Sequence, residues 1–175
     1  GLDFSQDTVT VLSDGVLSTS EGCATISDAA GKLLFYTDGI NIYDKSHKIM
    51  PNGSGLLGHS SSTQSAVIVR KPESTTLFYV FTVDAIRGNS GLRYSIVDVT
   101  LRGGLGDVTS VKNVLVVAPT CEKICAIRHR NNRDFWIVTH LFGSNIFHSY
   151  LLTSKGLIST PVVSSCGTPV KNSSL

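Results

Sequence analysis

The chain has 175 residues, with 15 Lys and Arg against 13 Asp and Glu and a formal net charge of +2. This near balance produces no strong field of either sign, which argues against binding to nucleic acid or to an anionic membrane. No apolar run approaches the roughly 20 residues that span a bilayer, so we expect no membrane insertion.

The first predicted element is a strand over Thr8–Leu12, where the letters T-V-T-V-L carry β-branched residues. A lone strand is marginal in water, so we expect it to pair with an outer strand of another unit. Residues 20–50 then contain four short apolar clusters separated by Asp, Gly, Asn and Ser, which are typical turn residues. This pattern predicts a four-stranded antiparallel meander between Cys23 and Met50.

The same order of strands and turns returns twice, in residues 64–118 and 122–165. With residues 20–50, these segments give three repeats in a single domain spanning residues 1–175. The strands predicted for the second repeat are Ser65–Arg70, Thr76–Asp84, Leu92–Thr100 and Asn113–Ala118, and those for the third are Ile124–Arg130, Asp134–Leu141, Asn145–Thr153 and Leu157–Ser164.

The three repeats can be aligned on threonines in their second strands. Thr37, Thr82 and Thr139 lie about 45 and 57 residues apart, near the period of propeller blades. The runs L-L-F-Y, L-F-Y-V-F and F-W-I-V are apolar without alternation, as expected for strands covered on both faces. The sequence therefore predicts an all-β fold of about three propeller-type blades, in which Phe81 and Trp136 are buried between blades. A β-sandwich is the alternative fold.

Three blades are too few to close a propeller, which typically needs four to eight. Two apolar blade faces would then be exposed, and soluble monomers seldom expose such faces. We therefore expect a partial propeller that is completed either by self-association as a homodimer or by further blades of a longer chain.

Polar residues at the ends of second strands are the main candidates for a binding site. Asp38, Asp84 and His140 would project near one face of a propeller, where ligands of such folds gather. Turn formation is the competing explanation, because Asp at a strand end commonly supports a turn. Arg128 and Arg130 form a basic cluster that could contact an anionic ligand or could simply belong to a charged hairpin tip.

The four cysteines, Cys23, Cys121, Cys125 and Cys166, do not form a recognisable metal pattern. On a strand, Cys121 and Cys125 would lie about 13 Å apart, too far for a disulfide. Structural zinc would need close pairs of ligands that are missing here. We therefore expect no metal and no cofactor, with Cys23 and Cys125 as buried thiols.

Several segments resemble a known group of proteins, the large exported bacterial surface proteins that carry PKD-type modules and a C-terminal sorting or gliding-motility-associated domain. The resemblance is to their N-terminal propeller-like region, and it covers most of the chain. It implies a secreted or surface-displayed β-propeller repeat, and it implies no catalytic residues. The segments that carry it are G-L-D-F-S, S-T-S-E-G-C-A-T-I-S-D-A-A-G-K-L-L-F-Y-T-D-G, M-P-N-G-S-G-L-L-G-H-S-S-S-T-Q-S-A-V-I-V, L-F-Y-V-F-T-V-D and G-L-R-Y-S-I-V-D-V-T-L-R-G-G-L-G-D-V.

Two functions from different classes are consistent with these patterns. The first is a non-catalytic binding or interaction module of an extracellular or cell-surface protein, with a glycan or a protein as its ligand. The second is a propeller-type polysaccharide hydrolase or lyase that uses Asp38, Asp84 and His140 as its acid, base and cation ligands.

Overall fold

The computed structural model describes residues 1–4 and 6–169, and within them the fold is all-β, as predicted. The strands form four antiparallel sheets without a closed barrel. One short helical segment, α1 (Leu101–Gly104), has left-handed φ angles of 54° and 68° at its two central residues, Arg102 and Gly103. No helix in the described part of the chain is long and apolar enough to cross a membrane.

The strands follow chain order from one sheet to the next. The N-terminal ribbon contains β1 (Leu2–Asp3) and β2 (Thr10–Val11), and the first sheet contains β3 (Ala24–Ser27), β4 (Leu33–Thr37) and β5 (Ile42–Asp44). The middle sheet contains β6 (Ala66–Arg70), β7 (Leu77–Val83), β8 (Leu92–Asp98), β9 (Asp107–Val108) and β10 (Val114–Val117). The third sheet contains β11 (Thr120–Arg128), β12 (Phe135–Leu141), β13 (Ile146–Thr153), β14 (Gly156–Leu157) and β15 (Val162–Ser165).

The N-terminal strand has a different partner from the predicted one. Strand β2 pairs with β1, with Leu2 opposite Val11, and the amino group of Gly1 donates to the carbonyl of Leu12 at 2.6 Å. It pairs with no outer strand of another described unit. The partner is local because closing a short loop costs little conformational entropy.

The first sheet has three strands where four were predicted. The segment that was to form the fourth strand contributes only an isolated bridge between Tyr43 and Ile49. The amides of Ser46 and Lys48 donate to the side chain of Asp44 in a tight turn. Pro51, which has no N–H, follows directly after Met50. Pairing therefore stops after a single bridge.

The fourth strand of the middle sheet and that of the third sheet are each divided into two short pieces. Strands β9 and β10 pair with opposite halves of β8, and β14 and β15 pair with opposite halves of β13. The predicted strand Leu157–Ser164 is therefore interrupted, whereas β10 confirms the strand predicted at Asn113–Ala118. In both sheets, an irregular segment separates the two pieces, residues 109–113 in the middle sheet and residues 158–161 in the third.

The middle sheet packs between the other two sheets, and its central strand β7 contributes to both cores. Phe78 and Val80 pack with Phe35 of the first sheet, and the rings of Phe35 and Phe78 meet edge to face at 5.6 Å. Tyr79 and Phe81, on the opposite face of β7, belong to the core shared with the third sheet. The prediction of a strand covered on both faces is thus confirmed for β7.

The two cores correct the threonine alignment of the repeats. Thr37 lies two residues from Phe35 and therefore on the face of the first sheet that meets the middle sheet. Thr82 and Thr139 lie on the faces of their sheets that point back toward the preceding sheet. Because the alternation of side chains is strict, the first repeat is offset by one residue from the alignment.

The third sheet leaves one face uncovered. We call it the outer face, and it alternates with the core shared with the middle sheet. Its members are Cys125, Ile127, Trp136, Val138, His140, Phe147, Ser149, Leu151, Ile158, Val162 and Ser164. Trp136 is only half-buried there, and Ile127 is 53% exposed. The expectation that Trp136 is buried between sheets is therefore wrong, because no described segment packs on that face.

All four cysteines are free thiols, and their burial also differs from the prediction. Cys23 and Cys125 are exposed, whereas Cys121 is buried. Cys125 points to the outer face because it pairs with Val138, and this face is open. Cys121 lies where the register of β11 and β12 is irregular, between Thr120 and Ile124.

Candidate functional site

One edge of the three sheets gathers most of the predicted site residues. The first residues of β3, β6 and β11 pair with residues near the ends of β4, β7 and β12. We call this edge, together with the turns 38–41, 84–91 and 142–145, the turn edge. Asp38, Asp84 and His140 all lie on it. First strands that are neighbours in sequence contact one another, β6 touching both β3 and β11.

Asp38 supports the turn that follows β4. Its Oδ1 atom accepts the amide hydrogens of Ile40 and Asn41 at 2.8 and 2.6 Å, and the residue is 5% exposed. The pKa of the neighbouring Tyr43 phenol is raised, mainly by burial and then by the charge of Asp38. The carboxylate is thus oriented by its own turn and faces protein rather than solvent.

The turn after Asp38 depends on a glycine. Gly39 has a φ of 87°, and a side chain at this position would lie 2.8 Å from the Cβ of Ser65. Ser65 also accepts the amide hydrogen of Val83 at its carbonyl oxygen and donates its hydroxyl to the carbonyl of Gly22 at 2.6 Å. Ser65 therefore connects the first and middle sheets at the turn edge.

Asp84 has a similar role in the loop that follows β7. One carboxylate oxygen accepts the amide of Ala85 at 2.8 Å, and the other accepts the amide of Ser90 at 2.9 Å. Gly88 passes so close to this carboxylate that a Cβ atom there would collide with it. The loop is therefore wrapped around Asp84, and both of its oxygens are occupied by backbone groups.

Glu122 is a prominent member of the turn edge that the sequence patterns did not reveal. Its carboxylate accepts the amide of Ile86 at 2.9 Å and both the amide and the hydroxyl of Thr63, at 3.2 and 3.0 Å. Burial acts to raise the pKa of Glu122, but these donors and the nearby charge of Lys123 outweigh it and hold the pKa below its ordinary value. No local motif could mark this residue, because its partners lie 36 and 59 residues away.

His140 forms a pair with a buried thiol. The Sγ atom of Cys121 lies 3.4 Å from Nδ1 of His140, and the imidazole stacks on Phe147 at 4.5 Å between centroids. The Nε2 atom of His140 is buried and has no partner among the described residues. A small cavity of about 120 Å³ opens beside this ring, and Gln64 and Lys123 are among its lining residues.

The Cys121 and His140 pair does not have the character of a nucleophile and its base. Burial, followed by the charge of Glu122, raises the pKa of the Cys121 thiol. A thiol with a raised pKa stays protonated near neutral pH and reacts poorly as a nucleophile. Among the described residues, no three His, Cys, Asp or Glu side chains are grouped so that they could hold a metal ion.

The two predicted arginines lie at the other end of the third sheet. Arg128 pairs with Phe135 at the start of β12, and its guanidinium lies 5.9 Å from the centre of that ring. His140 is five residues further along β12, which corresponds to about 17 Å at roughly 3.3 Å per residue. Arg130 belongs to the exposed hairpin beyond Arg128. The structure therefore separates the arginines from Asp38, Asp84 and His140.

Comparison of the chain with models of protein families, with curated proteins and with solved structures gave no match in any of the three.

Proposed function

We propose that the chain is a non-catalytic protein-interaction module, built from propeller-type sheets and carried by an exported bacterial surface protein. The non-catalytic character is supported by the hydrogen bonds that the two candidate acids accept. Asp38 and Asp84 each accept two backbone amides within their own turns. Their hydrogen-bonding capacity is directed inward, toward the loops they stabilise.

This use of the carboxylates disfavours the hydrolase or lyase. Glycoside hydrolysis generally needs two carboxyl groups that face each other across a substrate cleft, about 5 to 9.5 Å apart, with one of them able to donate a proton. Asp38 is almost fully buried, and Asp84 is enclosed by residues 84–91. The thiol beside His140 has a raised pKa and supplies no alternative nucleophile.

The succession of sheets supports the propeller-type arrangement. A β-sandwich packs two sheets together, whereas here three sheets pack in sequence and the middle one has a core on each face. The contacts of β6 with β3 and with β11 agree with a fold in which the first strands surround a common axis. The extracellular setting is supported by the resemblance of the sequence segments to exported surface proteins.

A protein ligand is favoured over a glycan by the composition of the outer face. Ile127, Ile158 and Val162 expose 53%, 46% and 58% of their surfaces. Large exposed apolar areas are typical of surfaces that bind protein. Trp136 is the only tryptophan of the chain, and its cross-strand partners on this face, Ile127 and Leu151, are aliphatic.

Incubation of the purified chain with a panel of polysaccharides tests the non-catalytic function, with reducing ends and unsaturated uronates measured as products. The Asp38→Asn and Asp84→Asn double variant serves as the control. We expect no product from either protein. Product release by the wild type that is lost in a correctly folded double variant would overturn the proposal and establish the hydrolase or lyase.

A further inference from the structure

We propose that the chain associates head to tail, with the N-terminal ribbon of one copy docked on the outer face of the third sheet of a second copy. This inference rests on the proposed function as an interaction module and names its partner as another molecule of the same chain. Three properties of the described residues support it: the exposure of the ribbon, the construction of the outer face and the charges of the two segments that carry these surfaces.

The ribbon exposes apolar side chains that its own chain does not cover. Leu2, Phe4, Val9 and Val11 are 60%, 69%, 54% and 75% exposed. The ribbon has only two strands of two residues each, and an isolated two-stranded piece is marginal in water. Packing on an apolar surface would stabilise it.

The ribbon lies at the end of the molecule opposite the outer face. The segment that follows it is fixed to the first sheet, because Asp14 lies 3.2 Å from Nε2 of His47 and the amide of Val16 donates to the hydroxyl of Tyr36 at 3.3 Å. The middle sheet separates the first sheet from the third. The ribbon is thus positioned to reach a second molecule.

The outer face resembles, in the arrangement of its cross-strand pairs, a face that is already covered in this fold. In the middle sheet, the cross-strand pairs of Tyr79 with Ile96 and of Phe81 with Tyr94 pack against the third sheet. In the third sheet, the corresponding positions along β12 hold Trp136, paired with Leu151, and Val138, paired with Ser149. The outer face therefore repeats the type of surface by which one sheet of this chain receives the next, but nothing in the described chain covers it.

The segments that carry the two surfaces also differ in charge. Residues 1–22 contain Asp3, Asp7, Asp14 and Glu21 and no Lys or Arg. Residues 120–165 contain five Lys and Arg against two Asp and Glu. Lys123 lines the small cavity beside Val138 and Phe147, so one of these cations borders the outer face itself. Opposite charges steer such surfaces together and disfavour like surfaces meeting.

The exposed apolar side chains and the charges together favour a contact between the ribbon and an outer face over a contact between two outer faces. Two outer faces meeting each other would bring two basic segments together, whereas the ribbon brings an acidic segment to a basic one. A contact between unlike surfaces is heterologous, so it produces closed rings or open chains of molecules rather than a dimer closed by a two-fold axis.

Analytical ultracentrifugation and the fluorescence of the single Trp136 test this proposal, using three folded variants of the chain. Val11→Lys charges the ribbon, Val138→Lys charges the outer face, and Leu115→Lys is the matched control. Leu115 is a 53% exposed apolar residue on β10 of the middle sheet, away from both surfaces. Circular dichroism establishes that each variant is folded.

We expect the wild type to associate as its concentration rises, with a blue shift of Trp136 emission. Val11→Lys and Val138→Lys should each weaken association by more than about tenfold, while Leu115→Lys should not. An equimolar mixture of Val11→Lys and Val138→Lys should form a one-to-one complex, because one variant retains a working outer face and the other a working ribbon.

Each contrary result overturns the proposal. A wild type that remains monomeric with unchanged Trp136 emission removes the second copy as the occupant. If Val11→Lys associates as strongly as the wild type, the outer face binds something other than the ribbon. If Leu115→Lys weakens association as much as the other two variants do, the contact is not specific. The non-catalytic function is judged separately by product release, which none of these variants alters.

Discussion

The middle and third sheets have the same strand order and the same divided fourth strand, yet they differ in what covers them. The run L-F-Y-V-F of β7 is buried on both faces, and Phe81 is fully buried. The run F-W-I-V of β12 is equally apolar, but Trp136 and Val138 lie on an open face. An unbroken apolar run therefore indicates that a strand is suited to cover on both faces, while the neighbouring sheets decide whether it receives that cover.

The largest effect is expected from Phe81. Truncation by Phe81→Ala removes a ring from the core between the middle and third sheets and leaves a cavity there. It should lower the free energy of unfolding by about 3–5 kcal/mol. Denaturant titration measures this change, and a loss under about 1 kcal/mol would contradict the described packing.

Replacement of Asp44 tests whether its ion pair with Arg102 holds the first sheet to the middle sheet. Its carboxylate is fully buried and accepts a hydrogen bond from the guanidinium of Arg102 at 3.1 Å, as well as bonds from Ser46. Asp44→Ala leaves these donors unpaired and should cost about 3 kcal/mol. Asp28→Ala is the matched control, because Asp28 also accepts two amides in a turn but is exposed, and a loss under about 1 kcal/mol is expected there.

The same residue predicts a dependence of stability on pH. Burial acts to raise the pKa of Asp44, but the donors from Ser46 and Lys48 and the charge of Arg102 outweigh it, so the pKa is lower in the folded protein. The stabilisation is therefore fully present above the unfolded value of about 3.9 and is lost as the pH falls through the lower folded value. Urea titrations at decreasing pH should show this loss for the wild type. An equally steep loss in Asp44→Asn would assign it to other groups.

Trp136 should respond less than Phe81, because its ring is only half-buried. Trp136→Ala, measured at low protein concentration, should cost about 1–2 kcal/mol, in proportion to the smaller apolar area that it removes from water in one molecule. A loss as large as that of Phe81→Ala would mean that the outer face is covered within a single chain, and the contrast between the two sheets would disappear.

The smallest effect on the protein is expected from chemical labelling of the thiols of Cys121 and Cys125. Cys125 lies exposed on the outer face, whereas Cys121 is buried beside His140 and its pKa is raised by burial and by Glu122. Under native conditions and at low protein concentration, an alkylating reagent should modify Cys125 rapidly and Cys121 slowly. Peptide mass spectrometry distinguishes the two sites, and equal labelling rates would contradict the burial of Cys121.

Local patterns were sufficient to predict most of the strands but not the packing of the sheets. Strands β7 and β12 lie close to their predicted bounds because β-branched and aromatic runs end at turn residues. The offset of Thr37 and the exposure of Trp136 depend on which faces meet, and no local pattern contains that information. The prediction of the pairing partner of the N-terminal strand was wrong for the same reason.

The candidate site likewise contains features that local sequence predicts and features that it does not. The position of Asp38 and Asp84 at strand ends is a local property, and so is their use in turns. The contacts of Glu122 with Thr63 and Ile86, and the pairing of Asp44 with Arg102, join residues 36 to 59 positions apart. Such contacts appear only once the sheets are packed, because the residues have no spacing that a motif could record.

The divided fourth strands have a consequence for how the molecule can grow. A long unbroken edge strand offers a row of free backbone groups on which strands of other molecules can add sideways, as in amyloid. In the middle and third sheets, the outer edge consists of two short pieces, β9 with β10 and β14 with β15, separated by irregular segments. Sideways addition therefore finds only two to four residues in register at a time, while the broad outer face of the third sheet stays available. The architecture limits extension along the hydrogen-bonding direction and leaves extension perpendicular to the sheets open.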